Sequence, residues 1–330
     1  MAPLRFGELK RNYSALETGG AERIALAYVD RLPIAAQLLV STRPRSLVCL
    51  ISASAEPPRR THARGVPILS PAQARDVGGD LDAILVVDGP KWPESVRNLE
   101  VLADGDRLLL PATADWVVPR SVRELTPANA WLEDVPAEYA ARSGLRGHYL
   151  EFGTFWGRSF FPAYFRLRHY LAGKFFAFDS FQGLSKPQAR ETEYTGGDFR
   201  EHTYRFNLRS FHALADLLRI PSDRLVTVPG YYGESLARYD RDEAGLAPKS
   251  VSVCVIDCDL VEPTRQVLEW VTDLIEPGGL LYFDDWRLCR ADRTVGERAA
   301  ALQWLGEHPD VELVELHRDH WQHQWFIFHR

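Results

Sequence analysis

The 330-residue chain is 45% hydrophobic, 25% charged and 11% aromatic, a composition that excludes a disordered chain, a collagen-like rod and a small disulfide scaffold. Its net charge of -6 comes from both signs spread along the sequence, which leaves no basic footprint for nucleic acid. No apolar run reaches the roughly 18 residues of a membrane span, and the first residues lack an apolar stretch followed by a cleavage site, so a soluble, cytoplasmic protein is expected. Four cysteines (Cys49, Cys254, Cys258, Cys289) without a Cys-x-x-Cys pair suit a reducing compartment, with no disulfides and no structural zinc.

From about Ala21 to Ala112, helical and short apolar segments alternate as in helices packed on a parallel sheet. The predicted strands are Ser46 to Ile51, Val66 to Leu69, Ala83 to Val87 and Arg107 to Leu110. A helical stretch precedes the first, and further helices are predicted over Pro71 to Asp76 and Pro93 to Ala103. None of these strands runs into a glycine-rich turn, so no nucleotide site is expected here. Residues 1–120 therefore read as an accessory or oligomerising α/β domain, and 121–147 as a proline-containing linker with a helix.

A second alternation occupies 148–330. Strands are predicted at His148 to Phe152, Lys174 to Phe178, Arg224 to Val228, Ser250 to Ile256 and Gly279 to Phe283. Helices are predicted at Gly157 to Leu171, Asn207 to Leu218, Glu262 to Leu274 and Arg293 to Glu307. Val311 to Leu316 and Gln324 to Phe328 read as a terminal antiparallel pair at a sheet edge. Asp82 to Leu110 and Ser250 to Leu281 share one order of strand, Asp, proline-containing turn, helix, glycine-containing turn and strand. Ser185 to His202 is polar, with Pro187, Gly196 and Gly197, and reads as an irregular segment able to close over a site.

In an open parallel sheet, ligands bind beyond the carboxyl ends of the strands. Glu151-Phe152-Gly153-Thr154-Phe155-Trp156-Gly157 ends one strand with an acidic residue and two glycines, which admit a ligand to the backbone at a helix start. Glu151 can accept from an ammonium group or fix the loop, and Asp179, ending the next strand, can bond both hydroxyls of a ribose. Asp257 and Asp259 follow one strand, and Asp284 and Asp285 the next. Crowded carboxylates repel unless a cation or protons lie between them, and oxygen-only ligands select a hard ion such as magnesium. Of the rest, His317, His320 and His323 read as a solvated turn, Cys254 as a buried hydrophobe, Trp321 and Trp325 as edge packing, and His148 as core.

The first of these motifs resembles motif I of class I S-adenosylmethionine-dependent methyltransferases. Phe178-Asp179-Ser180-Phe181-Gln182-Gly183-Leu184, Pro229-Gly230-Tyr231-Tyr232-Gly233-Glu234-Ser235-Leu236 and Ile256-Asp257-Cys258-Asp259-Leu260-Val261-Glu262-Pro263-Thr264 resemble the macrocin O-methyltransferase family of natural-product sugar methylases. Asp284-Asp285-Trp286, with Cys289 and Arg293, completes the pattern over about 148–330. Cys258, Val261 and Pro263 depart from it, standing for the usual glycine, tyrosine and serine.

The resemblance implies a Rossmann-like methyltransferase domain, mostly parallel with the terminal hairpin, beside the smaller N-terminal α/β domain. It implies a cofactor site at Glu151, Gly153, Thr154, Gly157, Asp179, Ser180, Gly230, Tyr231 and Asp257, and magnesium at Asp257, Asp284 and Asp285. Asp259 is the candidate general base, with His202 or His212 as alternatives if the segment after Asp179 folds over the site. The expected activity is magnesium-dependent methylation of a hydroxyl of a small polar metabolite, by a monomer or a homo-oligomer. The alternatives are a metal-independent carboxyl methyltransferase, with Arg287 or Arg290 pairing the acceptor, and a catalytically silent cofactor-binding protein.

Overall fold

The computed structural model describes residues 4–29, 32–54, 58, 60–77, 81–88, 92–102, 107–126 and 134–330. Its contacts divide the chain into two units, Met1–Arg120 with Tyr204–Arg219, and Ser121–Thr203 with Ile220–Arg330. Among the described residues no helix is long and apolar enough to cross a membrane.

The first unit runs α1 (Phe6–Thr18), β1 (Ile24–Tyr28), α2 (Ile34–Ser41), β2 (Leu47–Ser52), β3 (His62–Ala63), β4 (Val66–Leu69), α3 (Pro71–Val77), β5 (Ala83–Val86), α4 (Trp92–Asn98) and β6 (Leu108–Pro111). The sheet order is β3-β4-β2-β1-β5-β6, parallel except for β3. β1 and β5 both lie inside the sheet and are buried almost throughout, as strands covered on both faces must be. β1 occupies part of the stretch expected to be helical. Ile24 to Val40 is apolar with few interruptions, so periodicity does not separate its strand from its helix, and the structure makes the break at Pro33, the N-cap of α2. The expected helix from Pro93 ends at Asn98 and continues as a single 3-10 turn over Glu100–Leu102, its predicted end at Ala103 lying outside the described residues. Residues 30–31, 55–57, 59 and 89–91, which hold much of the loops after β1, β2 and β5, also lie outside them.

α5 (Arg120–Arg123) stands at the junction, and α6 (Val135–Arg142) falls in the expected linker, of which 127–133 lie outside the described residues. The order is then β7 (His148–Phe152), α7 (Phe160–Leu167), β8 (Phe175–Asp179), α8 (Ala189–Tyr194), α9 (Leu208–Leu217), β9 (Leu225–Pro229), α10 (Tyr232–Arg238), α11 (Arg241–Ala244), β10 (Val251–Ile256), α12 (Val261–Val271), β11 (Ile275–Phe283), α13 (Gly296–Glu307), β12 (Glu312–His317) and β13 (Gln324–His329). α9, expected within the C-terminal domain, packs in the first unit: Ser210 Oγ accepts from Leu109 N–H at 2.8 Å, and Asn207 Nδ2 donates to Arg107 O at 2.9 Å.

The second unit's sheet has the order β12-β13-β11-β10-β7-β8-β9, with β7 to β11 parallel and β13 antiparallel to both β11 and β12. This is the expected parallel sheet with its appended hairpin. β10 is buried at every residue between β7 and β11. Phe152 and Phe178 stack at 4.4 Å between ring centroids, and Trp270 of α12 meets both edge-on. α12 buries Thr264, Val267, Leu268 and Val271, close to the i, i+3, i+4, i+7 stripe of a core-facing helix. α7 starts at Phe160 rather than Gly157, because Gly157 has φ +86° and closes a turn by donating to Thr154 O at 2.7 Å.

Candidate active site

The loop from β7 to α7 leaves the sheet at Gly153, whose φ is +92° and where a Cβ would sit 1.7 Å from the carbonyl oxygen of Asp257. Only glycine lets the β7 and β10 ends come this close. At Gly157 a Cβ would meet the Phe161 ring at 2.2 Å, so this glycine serves helix packing. Glu151 lies beneath the loop with no exposure, accepting from Tyr149 OH and, at 2.7 Å, from Ser159 Oγ. Of the two roles the sequence allows it, this is the loop-fixing one. Burial raises its pKa to about 7 against the two hydrogen bonds, which lower it. Thr154 Oγ1 is buried without a hydrogen-bond partner, a polar atom left for a ligand.

Asp179 closes the neighbouring strand and is 7% exposed. Its Oδ2 accepts from Phe155 N–H at 2.8 Å and its Oδ1 from Phe181 N–H at 2.6 Å. The carboxylate thus ties the two loops together, and each oxygen retains a lone pair for a further donor. Burial raises it to about 6, opposed by both amides. Ser180 Oγ is engaged in its own turn, donating to Gly183 O at 2.7 Å and accepting from Gln182 N–H at 2.9 Å. Gly230, at φ +124°, donates to Asp179 O at 3.0 Å and brings Tyr231 to the same rim. His202 does not join the aspartates: its Nδ1 lies 3.4 Å from Tyr231 OH, at the end of β9. His212 is carried by α9, in the first unit.

The four aspartates do converge. Burial raises the pKa of Asp257 and Asp259, and the surrounding carboxylates raise both further: Asp284 acts most on Asp257, and Asp285 on Asp259, with which it also shares a hydrogen bond. Burial and Asp284 bring Asp285 to about 7, opposed by Asp259, Gln322 and His323. Among the described residues, no three or more His, Cys, Asp or Glu side chains are grouped as a metal ion requires. The oxygen-only donors suit a hard cation, but as they stand Asp285 is engaged with Asp259 and Gln322, and Asp284 with Tyr282 and His323.

Three partners escaped the sequence reading. Glu297, in the first turn of α13, reaches the backbone of both acidic loops. Gln322 Nε2 donates to Asp285 Oδ1 at 2.8 Å, and His323 Nε2 lies 3.2 Å from Asp284 Oδ1, so the expected solvated turn between β12 and β13 in fact reaches the aspartates. Burial lowers the His323 pKa, but Asp319 and Asp284 outweigh it and the net shift is upward. Arg287 fastens this connection, donating to His323 O at 2.8 Å and Gln324 Oε1 at 2.6 Å, which commits the guanidinium expected to pair a carboxylate acceptor. Arg290 lies over the Tyr194 ring at 5.8 Å. His148, expected in the core, is half-buried at the start of β7, where it packs edge-on against Phe176 and its Nδ1 accepts from Lys174 N–H at 2.9 Å.

The segment expected to be irregular, Ser185 to His202, contains α8. Glu191 caps its own helix start by accepting from Gln188 N–H at 2.6 Å, and it also accepts from Val261 N–H, at the start of α12, at 2.7 Å. Tyr194 OH donates to Asp292 Oδ2 at 2.7 Å, so the segment is pinned at both ends of α8.

Residues 150–286 match the profile of a family described as a methyltransferase domain. Among solved structures, the calicheamicin methyltransferase CalS11 is similar at 20% identity over 64% of this chain and 84% of its own, with a TM-score of 0.50. The O-methyltransferase NovP is similar at 17% identity over 59% of this chain and 77% of its own, with a TM-score of 0.48. A methyltransferase of Podospora anserina, PaMTH1, bound to S-adenosylhomocysteine, is similar at 11% identity over 66% and 86%, with a TM-score of 0.38. No curated protein matches by sequence. The likeness to CalS11 shows the fold. The family match spans β7 to β11, so residues 150–286 are similar to a methyltransferase domain in sequence profile and in fold.

Proposed function

We propose that the protein transfers a methyl group from S-adenosylmethionine to a hydroxyl of a small polar metabolite, such as a natural-product sugar, with magnesium at the acceptor. The observation that carries this reading is the contact between the two loops: the glycine turn after β7 touches the backbone of Asp257, the first of the four aspartates. A donor seated on Gly153, Thr154, Asp179 and the Gly230–Tyr231 rim would then present its methyl group toward carboxylates. In the transfer, the sulfonium S–CH3 bond breaks as the O–CH3 bond forms, the electron pair stays on sulfur, and the hydroxyl proton passes to a base. Asp259 is the base in this reading, because it stands on the same acidic rim, hydrogen-bonded to Asp285 and beside the aspartates that would hold the ion.

Asp257, Asp284 and Asp285 are the residues that would hold magnesium, and the ion would lower the pKa of a bound hydroxyl. This part rests on the donor chemistry. The engagement of Arg287 with the β12–β13 connection speaks against carboxylate recognition by that residue. Cysteines that are all free and buried agree with a cytoplasmic setting. The first unit is assigned to acceptor recognition or to oligomerisation.

The test is incubation of the full chain with S-adenosylmethionine carrying a labelled methyl group and a panel of sugar nucleotides and other vicinal diols, read by mass spectrometry. Label in an ether is expected. Label found only in carboxylate esters, or donor binding with no transfer to any diol, overturns the reading. Full activity after exhaustive chelation removes magnesium from it.

A further inference from the structure

Glu297 has no solvent exposure, yet it is a carboxylate. Its Oε1 accepts from Cys258 N–H at 2.8 Å and from Asp259 N–H at 3.3 Å, both in the loop after β10. Its Oε2 accepts from Asp285 N–H at 2.9 Å, in the loop after β11. One side chain thus spans the two loops that carry all four aspartates. Burial and the neighbouring Asp285 push its own pKa well up, and any negative charge it carries works against those aspartates, since it is among the groups that raise Asp257 and Asp259. Its benefit therefore comes through the three amides, each of which would otherwise be a strand-end donor without a partner. Asp259 also holds φ +62°, a left-handed conformation that a non-glycine residue keeps only when its surroundings enforce it, and the bond to its N–H contributes to that. Aspartate at 297 is one methylene too short to reach both loops, and glutamine turns an NH2 donor toward an amide donor.

We infer that Glu297 is a positioning residue, the buried strut that fixes the loops after β10 and β11 at the separation in which their aspartates serve the acceptor. This rests on the proposed methyl transfer. Glu297 itself touches neither donor nor acceptor, so its loss acts on the aspartates and leaves the donor loop after β7 in place.

The experiment compares the full chain with its Glu297→Ala and Glu297→Gln variants. Amide hydrogen exchange is read in peptides covering 257–260 and 284–286, S-adenosylhomocysteine affinity by calorimetry, and kcat and donor KM with an acceptor from the diol panel. In Glu297→Ala, exchange in both loops is expected to rise about tenfold or more. kcat is expected to fall by about 10- to 100-fold, as when an outer-shell partner of a site is lost. Donor KM and S-adenosylhomocysteine affinity stay within about twofold, and the near-isosteric Glu297→Gln, which carries the test should the alanine variant not fold, falls between wild type and alanine. Unchanged exchange in a folded variant, wild-type kcat, or donor affinity falling in step with kcat overturns the inference. A wild-type chain that methylates no diol defeats the functional reading, and the exchange result still decides whether the strut exists.

Discussion

Glu151 is sealed beneath the donor loop, and its pKa near 7 makes it a pH-dependent element of stability. Because the folded value lies above the ordinary 4.5, its contribution is complete below about pH 4.5 and is lost as pH rises through about 7. Glu151→Gln keeps a hydrogen bond with Ser159 and can donate to Tyr149 oxygen, while removing the buried charge. The variant should therefore gain stability over wild type as pH is raised from 5 to 8, by up to the order of 3 kcal/mol. Thermal melts across that range check this, and a pH-independent difference contradicts it. At this scale, residues at strand ends were legible, because Asp179, Asp257 and Asp284 follow apolar runs and sit in recognisable motifs. Glu297, Gln322 and His323 were not, since each reaches its partner across the fold from a helix start or a hairpin connection, where local pattern carries no sign of the contact.

α8 was missed among elements because Ser185 to His202 has the polar, glycine- and proline-bearing look of a loop. Its capping box, Gln188 with Glu191, starts the helix with glutamine in place of the more telling serine or threonine. Glu191 then spends its other oxygen on Val261 N–H, so α8 and the start of α12 hold each other. Limited proteolysis should find cleavage near Arg190 and Arg200 slow in the wild type and severalfold faster in Glu191→Ala, where two amides lose a buried acceptor at about 1–3 kcal/mol each. Equal cleavage rates would mean that the segment is held by something else. β1 was lost for a different reason: the strand and the helix after it share an apolar stretch broken only briefly, by Asp30, Arg31 and Pro33. The hairpin of β12 and β13, by contrast, was readable from two apolar runs around a polar connection.

Across the whole molecule, both sheets wind their five parallel strands in one order. In chain order they lie third, second, first, fourth, fifth, as β4-β2-β1-β5-β6 and as β9-β8-β7-β10-β11. The echo visible in sequence, Asp82 to Leu110 against Ser250 to Leu281, falls on the fourth and fifth strands of each, and in the second sheet each of these two strands is followed by a pair of aspartates. Shared topology does not transfer function. The fold boundary was less legible, because α9 lies within the C-terminal half of the sequence and packs in the first unit. A chain begun at Ser121 would strip β6 from α9 and expose Phe211 and Leu214, so it should aggregate. Replacing Tyr204–Arg219 by a short glycine-serine linker should restore solubility, as size-exclusion chromatography would show. The most direct measurement of the account is calorimetric titration of the full chain with S-adenosylhomocysteine, repeated on Gly153→Val and Asp179→Ala. Binding to the wild type is expected, lost in the first variant because a side chain fills the approach to Asp257, and weakened about tenfold or more in the second, which removes a buried acceptor. Affinity unchanged in both variants would contradict a donor site on the β7 and β8 loops.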